Sequence, residues 1–207
     1  MFVSKVLLLI VGLSCISYSA QESQLKLVLY YEGLCPYCHD FIQEQLYPAY
    51  QALEGAFLIE LIPLGWEVKT DDGWECQHGP DECFLNKVDA CLISLKPPQL
   101  QLLGFINCNA NSTSMELTVD ETKDVVKQCA QENKLSWDDI NKCVTDSGDA
   151  LLLSYVDKQN KIDPPLPYVP HIRFNDIFDE DLEQSAREDL VSTVCGLLTG
   201  TKPSACN

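Results

Sequence analysis

The seven residues Glu32-Gly33-Leu34-Cys35-Pro36-Tyr37-Cys38 join an apolar run, Leu25 to Tyr31, to a segment of helical periodicity. That junction constrains the fold more than any other feature of the chain. The run is short and rich in Leu, Val and Tyr, which predicts a buried strand. Phe41, Ile42, Leu46 and Tyr50 then recur near helical spacing between His39 and Leu53, with Pro48 expected to bend that helix or end it early. Ala56 to Leu64 predicts a second strand. Strand, cysteine-bearing turn, helix and strand open a βαβ arrangement, so an α/β sheet is expected.

A C-x-x-C pair admits three chemistries: half a zinc site, a structural bridge or a redox couple. Zinc would need two further ligands from Cys76, His78, Cys83 or Cys91, and no second C-x-x-C is present. A purely structural bridge would close a very short loop and add little stability on the loop-entropy argument. The redox reading accounts for the position of the pair. A strand-to-helix junction puts Cys35 at a helix N-terminus, where unpaired N–H groups and the macrodipole favour a thiolate. Pro36 suits the first helical position, and Cys38 follows about one turn later, within disulfide reach. Cys35 is read as the nucleophile and Cys38 as the resolving thiol. At pH ~5 an ordinary cysteine is only about 0.03% thiolate. Lowering its pKa to about 5 would raise that fraction roughly a thousandfold and, after the loss of basicity, leave about a 40-fold advantage.

Beyond Trp66 the character changes. From about 66 to 161 cysteines are frequent, strand-like runs disappear, and helices are expected over Glu82 to Leu95, Pro98 to Phe105, Val119 to Asn133, Trp137 to Thr145 and Asp149 to Lys161. Ser136 and Asp139 have capping spacing, and Pro97-Pro98 is a breaker. This reads as a disulfide-tied helical insertion, because strand material returns afterwards. A proline-rich approach, Asp163 to Pro170, leads into Ile172 and Phe174 and an expected hairpin turn at Asn175-Asp176. Asp179 to Leu198 predicts one terminal amphipathic helix with Leu182, Ala186, Leu190, Val194 and Leu197 on its apolar face.

The compartment can be read from the first residues and from the cysteine count. Lys5, the apolar run Val6 to Leu13 and the small-residue exit at Ser17-Tyr18-Ser19-Ala20 predict a secretory signal peptide over residues 1–20, leaving residues 21–207 as a single domain. The apolar run is too short to span a bilayer, and no later stretch reaches the necessary length, so no membrane insertion is expected. Of 11 cysteines, Cys15 falls in the leader and ten remain, which in a secreted chain favours disulfides. A net charge of −17 at pH 7 argues against nucleic acid and anionic membrane as partners. Asn111-Ser112-Thr113 is the one N-glycosylation sequon, expected in a polar loop between Asn107 and Ser114.

Cys76-Gln77-His78-Gly79, followed by Glu82-Cys83, Asn86 and Cys91, reproduces every fixed position of a C-Q-H-G-x2-E-C-x2-N-x4-C signature. On these residues, together with the C-x-x-C, Cys129, Cys143 and Tyr168-Val169-Pro170, the chain resembles the gamma-interferon-inducible lysosomal thiol reductase family over essentially its whole length. The resemblance implies a thioredoxin-like fold, with a helical insertion between an N-terminal βαβ part and a C-terminal ββα part. It also implies a reductase of protein disulfides that works best in acid, in the lysosome or after secretion. Pro170 would be cis, and Val169, with Pro36 and Tyr37, would meet the substrate chain. His171 stands where vertebrate members have Trp, and Asn175-Asp176 replaces an Asn-Gly turn. Cys76, Cys83, Cys91, Cys108, Cys129, Cys143, Cys195 and Cys206 are expected to form structural bridges, and eight cysteines permit 105 pairings. His78 is expected to be structural and His39 to lie on the surface. No bound cofactor or metal is expected, only an external small-thiol electron donor. Two alternatives stay open: a secretory-pathway disulfide oxidase or isomerase, which the lack of an ER-retrieval tetrapeptide at Ser204-Ala205-Cys206-Asn207 disfavours, and a non-enzymatic, disulfide-stabilised binding protein of host defence.

Overall fold

A computed structural model describes residues 24–53 and 55–207. The expected signal peptide lies outside the described residues. Strand β1 (Lys26–Tyr31) lies at the centre of a three-stranded sheet, parallel to β2 (Leu58–Pro63) and antiparallel to β5 (His171–Phe174). Its register pairs Leu29 with Leu61 on one side and with Ile172 on the other. Both faces of β1 are covered, which is why its sequence is continuously apolar instead of alternating. Leu27, Leu29 and Tyr31 join the larger core, with Phe41, Leu46, Phe57 and Phe105. Val28 and Tyr30 join a smaller one, with Ile62, Leu64, Leu152 and Tyr155. At about 1.5–3 kcal/mol for each fully buried large apolar side chain, β1 anchors the fold from both sides.

The helix after the cysteine pair runs over nearly the whole segment of helical spacing. It comprises α1 (Pro36–Phe41), a π-helical turn (Ile42–Leu46) and α2 (Tyr47–Ala52). Pro48 does not end it. The widened turn, in which the Tyr47 N–H bonds to the Ile42 carbonyl, relaxes the ladder just where a proline can neither donate nor fit.

The insertion is mainly helical, as expected, but the chain first makes a small hairpin, β3 (Val68–Thr70) with β4 (Gly73–Glu75). Four helices follow: α3 (Pro80–Leu95), α4 (Gln99–Ser112), α5 (Val119–Glu132) and α6 (Trp137–Gln159). Two boundaries differ from the sequence reading. First, α4 runs on through Ser112, so Asn111 lies exposed on its last turn instead of in a loop, with its amide donating to the Asn107 carbonyl at 2.7 Å. Second, the two helices expected over Trp137 to Lys161 are one. Gly148 suggests a break, but it faces α3, where an added Cβ would sit 3.3 Å from Lys87 Cδ. The glycine serves close helix packing there and leaves the helix unbroken.

Four disulfides tie these elements. Cys91–Cys143 links α3 to α6, Cys108–Cys129 links α4 to α5, and Cys76–Cys83 holds the approach to α3 against its first turn. Cys195–Cys206 pins the C-terminal turn Ser204–Cys206 to the last helix.

The C-terminal part departs from ββα. Asn175 and Asp176 adopt positive φ, 52° and 66°, and make the expected turn, but the return strand is reduced to a bridge between Phe174 and Ile177. All four residues of β5 are buried, including His171 and Arg173 on the face expected to meet solvent. The proline-rich loop covers that face: Arg173 donates to the carbonyls of Asp163 (3.1 Å) and Pro164 (2.6 Å). The expected terminal helix is two, α7 (Glu180–Glu188) and α8 (Leu190–Leu197). Asp189 is extended at φ −153° and caps α8, accepting from the Ser192 N–H at 2.9 Å. Ala186, Leu190 and Val194 still reach the core across that break. No helix among the described residues is long and apolar enough to cross a membrane.

Candidate active site

The two free cysteines among the described residues are Cys35 and Cys38. Cys35 is the N-cap of α1 and Pro36 its first residue. The Cys35 sulfur accepts from the Cys38 N–H at 3.3 Å, so the sulfur takes the place that a serine or aspartate oxygen holds at other helix starts. Hydrogen bonding from the Cys38 thiol lowers the pKa of Cys35. The Cys38 backbone N–H and the charge of His78 act in the same sense, against burial and Glu32. Cys38 is fully buried, and burial, then the Cys35 hydrogen bond, pushes its thiol well above the ordinary value. One thiol is primed to ionise and the other held protonated behind it, the asymmetry that a thiol-disulfide exchange pair requires.

The sequence-predicted substrate residues gather around Cys35. The Val169–Pro170 peptide is cis, and the Val169 carbonyl lies 4.0 Å from the Cys35 sulfur. A groove of about 250 Å³ opens here, lined among others by Cys35, Tyr37, Trp66, His78, Tyr168 and Val169. Tyr37 is 74% exposed, and Trp66 and Tyr168 are about half as open, so the groove carries an aromatic rim. Trp66 marked only a boundary in the sequence. Its contribution depends on where the chain turns after β2, which no local pattern reveals.

Glu183 on α7, also not singled out beforehand, organises the far wall. It is 2% exposed and accepts from the Tyr168 hydroxyl (2.5 Å) and the Ile172 N–H (2.8 Å). Its carboxylate also lies 3.1 Å from His171 Nδ1 and 3.2 Å from Arg187. Arg187 in turn donates to the Pro170 carbonyl. Burial alone would raise the Glu183 pKa, but the bonds from His171, Tyr168 and Ile172 outweigh it and hold the carboxyl below its usual range. Burial, then Glu183, pushes Tyr168 up to about 12.

The signature residues form the near wall. Asn86 on α3 accepts from the Gly33 N–H at 2.8 Å and donates to Glu67, whose other oxygen accepts from the Gly65 N–H at 2.7 Å. An added Cβ at Gly33 would sit 2.6 Å from Leu85 Cβ, so only glycine lets α3 approach the turn before the cysteines so closely. His78 Nδ1 contacts Glu82 at 2.5 Å, and Glu82 also accepts from the His78 N–H at 3.0 Å. Glu32, at the end of β1, accepts from the Trp66 N–H at 2.7 Å and places its second oxygen 3.7 Å from His78 Nδ1. His39, expected on the surface, is half-buried with Nε2 2.8 Å from the Gly33 carbonyl, and burial lowers its pKa.

Among the described residues, Glu32, His78 and Glu82 are also the set with metal-ligand character, their ligand atoms lying within 4.8 Å of one another. The 2.5 Å contact of His78 with Glu82 is a direct hydrogen bond. Two ligands of one zinc ion stand roughly 3.3 Å apart, so the set would have to open to take one. The cysteines weighed as zinc ligands, Cys76, Cys83 and Cys91, are all in disulfides.

The family model described as gamma interferon inducible lysosomal thiol reductase (GILT) matches residues 26–133. The gamma-interferon-inducible lysosomal thiol reductase of Carassius auratus is 36% identical over 199 residues, covering 93% of this chain and 75% of the relative. GILT-like protein 1 of Drosophila melanogaster is 31% identical over 221 residues, covering 99% and 86%. Among solved structures, the crystal structure of Chlamydia trachomatis DsbA superposes with a TM-score of 0.58 at 12% identity, covering 84% of this chain and 86% of that one. The structural likeness establishes a thioredoxin-like fold.

Proposed function

The chain belongs to the gamma interferon inducible lysosomal thiol reductase family and is an oxidoreductase acting on sulfur groups, and from that premise we propose that it reduces protein disulfides in acid through a Cys35/Cys38 cycle. The observation that carries this reading is the asymmetry of the two thiols: Cys35 lowered at a helix cap beside an open groove, Cys38 buried behind it. The Cys35 thiolate attacks a substrate disulfide to form a mixed disulfide. Cys38 then attacks the Cys35 sulfur, releasing reduced substrate and leaving Cys35–Cys38 oxidised. An external small thiol resets the pair by two further exchanges, with no bound cofactor. Pro36, Tyr37, Val169 and Pro170 contact the substrate chain.

Other features support the setting. The Carassius auratus relative is called lysosomal, and the leader-like N-terminus and four disulfides suit the secretory pathway and a lysosomal or extracellular destination. Asn111, exposed on α4, carries the glycan. Strands β1 and β5, from the two ends of the described chain, share one sheet, which supports the reading of residues 21–207 as one domain with the helices inserted between β2 and β5.

The carboxyl groups support an acidic working range. Burial pushes Glu67 up to about 8 and Asp89 up to about 7 from ordinary values of 4.5 and 3.8. Below those ordinary values both folded and unfolded chains hold the protons, and the groups cost nothing. Above them the unfolded chain releases protons that the folded chain retains, so stability falls by about 1.4 kcal/mol per pH unit for each group until its folded pKa is passed. The thermal midpoint should therefore be higher at pH 5 than at pH 8, and Glu67→Gln should flatten the difference. Equal midpoints in the wild type would remove this support.

The cycle is tested by incubating Cys38→Ser with insulin at pH 5. A mixed disulfide should accumulate on non-reducing gels and vanish in the Cys35→Ser/Cys38→Ser double variant. No adduct, or one that persists in the double variant, would refute Cys35 as the attacking sulfur.

A further inference from the structure

Resting on the Cys35 reading, we infer that His78, held by Glu82, is a catalytic residue that carries the Cys35 proton to the departing substrate sulfur. Three observations converge. His78 lines the same groove as Cys35, although it comes from a loop more than forty residues away in sequence. The Glu82 carboxylate, 0% exposed, takes its Nδ1 at 2.5 Å and its backbone N–H at 3.0 Å, and the adjoining Cys76–Cys83 disulfide ties the loop to α3. With Nδ1 so engaged, Nε2 is left without a protein partner among the described residues, as an acid-base group facing a groove requires.

Two carboxyl groups face His78. Glu82 contacts it directly, and the unpartnered Glu32 oxygen lies 3.7 Å away, also on a fully buried side chain. Glu67 lies behind both carboxylates, His39 faces the same turn from α1, and no lysine or arginine forms an ion pair with Glu32 or Glu82 among the described residues. The two carboxylates therefore share one imidazole, which also acts on Cys35 to lower its pKa. Four other signature residues have structural work: Cys76 and Cys83 pair, Cys91 bridges to Cys143, and Asn86 docks α3 on Gly33. His78 and Glu82 carry the reactive pair of groups.

The step balances as follows. In the reduced protein the Cys35 proton passes to His78, giving a thiolate and an imidazolium. Cys35 attacks one sulfur of the substrate disulfide, so a Cys35–substrate S–S bond forms and the substrate S–S bond breaks. The electron pair goes to the departing sulfur, which takes the His78 Nε2 proton and leaves as a thiol. His78 is neutral again, and no external oxidant or reductant enters this half-reaction.

A proton donor matters only when the leaving thiolate is basic. Single-turnover rates of the reduced protein should be compared with insulin, whose leaving group is an ordinary alkyl thiol, and with 5,5′-dithiobis(2-nitrobenzoate), whose aromatic thiolate leaves unprotonated. His78→Gln should slow the insulin reaction about 100-fold, within the usual range for general-acid catalysis, and the aromatic disulfide only about tenfold or less, the share due to lost thiolate formation alone. Glu82→Gln should show the same split at about tenfold, and it serves as the test should His78→Gln fail to fold. Equal slowing of both substrates, as a purely structural or thiol-tuning role would produce, overturns the inference, as does no slowing of either. Cys35→Ser should lose both reactions; if it did not, the Cys35 reading itself would fail, a result distinct from failure of His78.

Discussion

Cys35→Ser is expected to lower insulin reduction at pH 5 by about 10³-fold or more, to the rate of the small-thiol donor alone. The physical reason is that exchange needs a sulfur anion, and a serine hydroxyl at the same helix cap stays protonated and is a far poorer nucleophile. The capping geometry should survive, since serine is a favoured N-cap whose oxygen accepts the Cys38 N–H that the Cys35 sulfur accepts now. Fold and catalysis are thus separable at this position. An unchanged denaturation midpoint with activity gone would place the loss in chemistry. Retention of more than about a tenth of wild-type activity would mean that another sulfur attacks. Among the described residues the cysteines other than Cys35 and Cys38 are all in disulfides, so Cys38 would be the first suspect, although its burial keeps its thiol protonated.

Glu183→Ala is expected to destabilise the chain by about 3–5 kcal/mol, the usual cost of removing one partner from a buried charged network. Glu183 accepts from the Tyr168 hydroxyl and the Ile172 N–H, and it contacts His171 and Arg187. Alanine would leave the Tyr168 hydroxyl and the Ile172 N–H without their acceptor and remove the carboxylate facing His171 and Arg187. Two of them, Ile172 in β5 and Tyr168 in the loop before Pro170, lie on either side of the cis peptide that faces Cys35. Arg187, which reaches the Pro170 carbonyl, would lose the carboxylate that orients it. Chemical denaturation should therefore show a lower midpoint with an unchanged slope. Glu183→Gln, which keeps an acceptor but no charge, should fall between the two. A wild-type midpoint in Glu183→Ala would show that the network contributes nothing net.

The geometry of the cysteine pair was the more legible part of the sequence. Cys35 and Cys38 could be placed because a helix N-terminus is a local structure, set by Pro36 and by the apolar spacing that follows. Helix ends were less legible. Pro48 and Gly148 look like breakers, but a π-helical turn accommodates the first and close packing on Lys87 uses the second. The break at Asp189 went the other way: a cap within an apolar face that continues across it is invisible to periodicity. Neither His171 nor Arg173 could be recognised as buried, because their cover comes from a proline-rich loop with no periodic signal of its own.

By itself the sequence determined the strand, the cysteine-bearing turn and the helix after it, the helical character of the insertion, and the signature that identifies the family. These depend on spacing along the chain, and spacing acts over a few residues. Only the tertiary structure decided which of 105 pairings the eight cysteines adopt, that Glu32 just after β1 and Glu82 from α3 meet at His78, and that Glu183 from α7 meets His171 and the loop before Pro170. A buried carboxylate is tolerable only where donors from distant segments meet it, and such a meeting is a property of the packed chain. The cysteine pair can thus be read from its own neighbourhood, whereas the charges that tune it become visible only once the chain has folded around them.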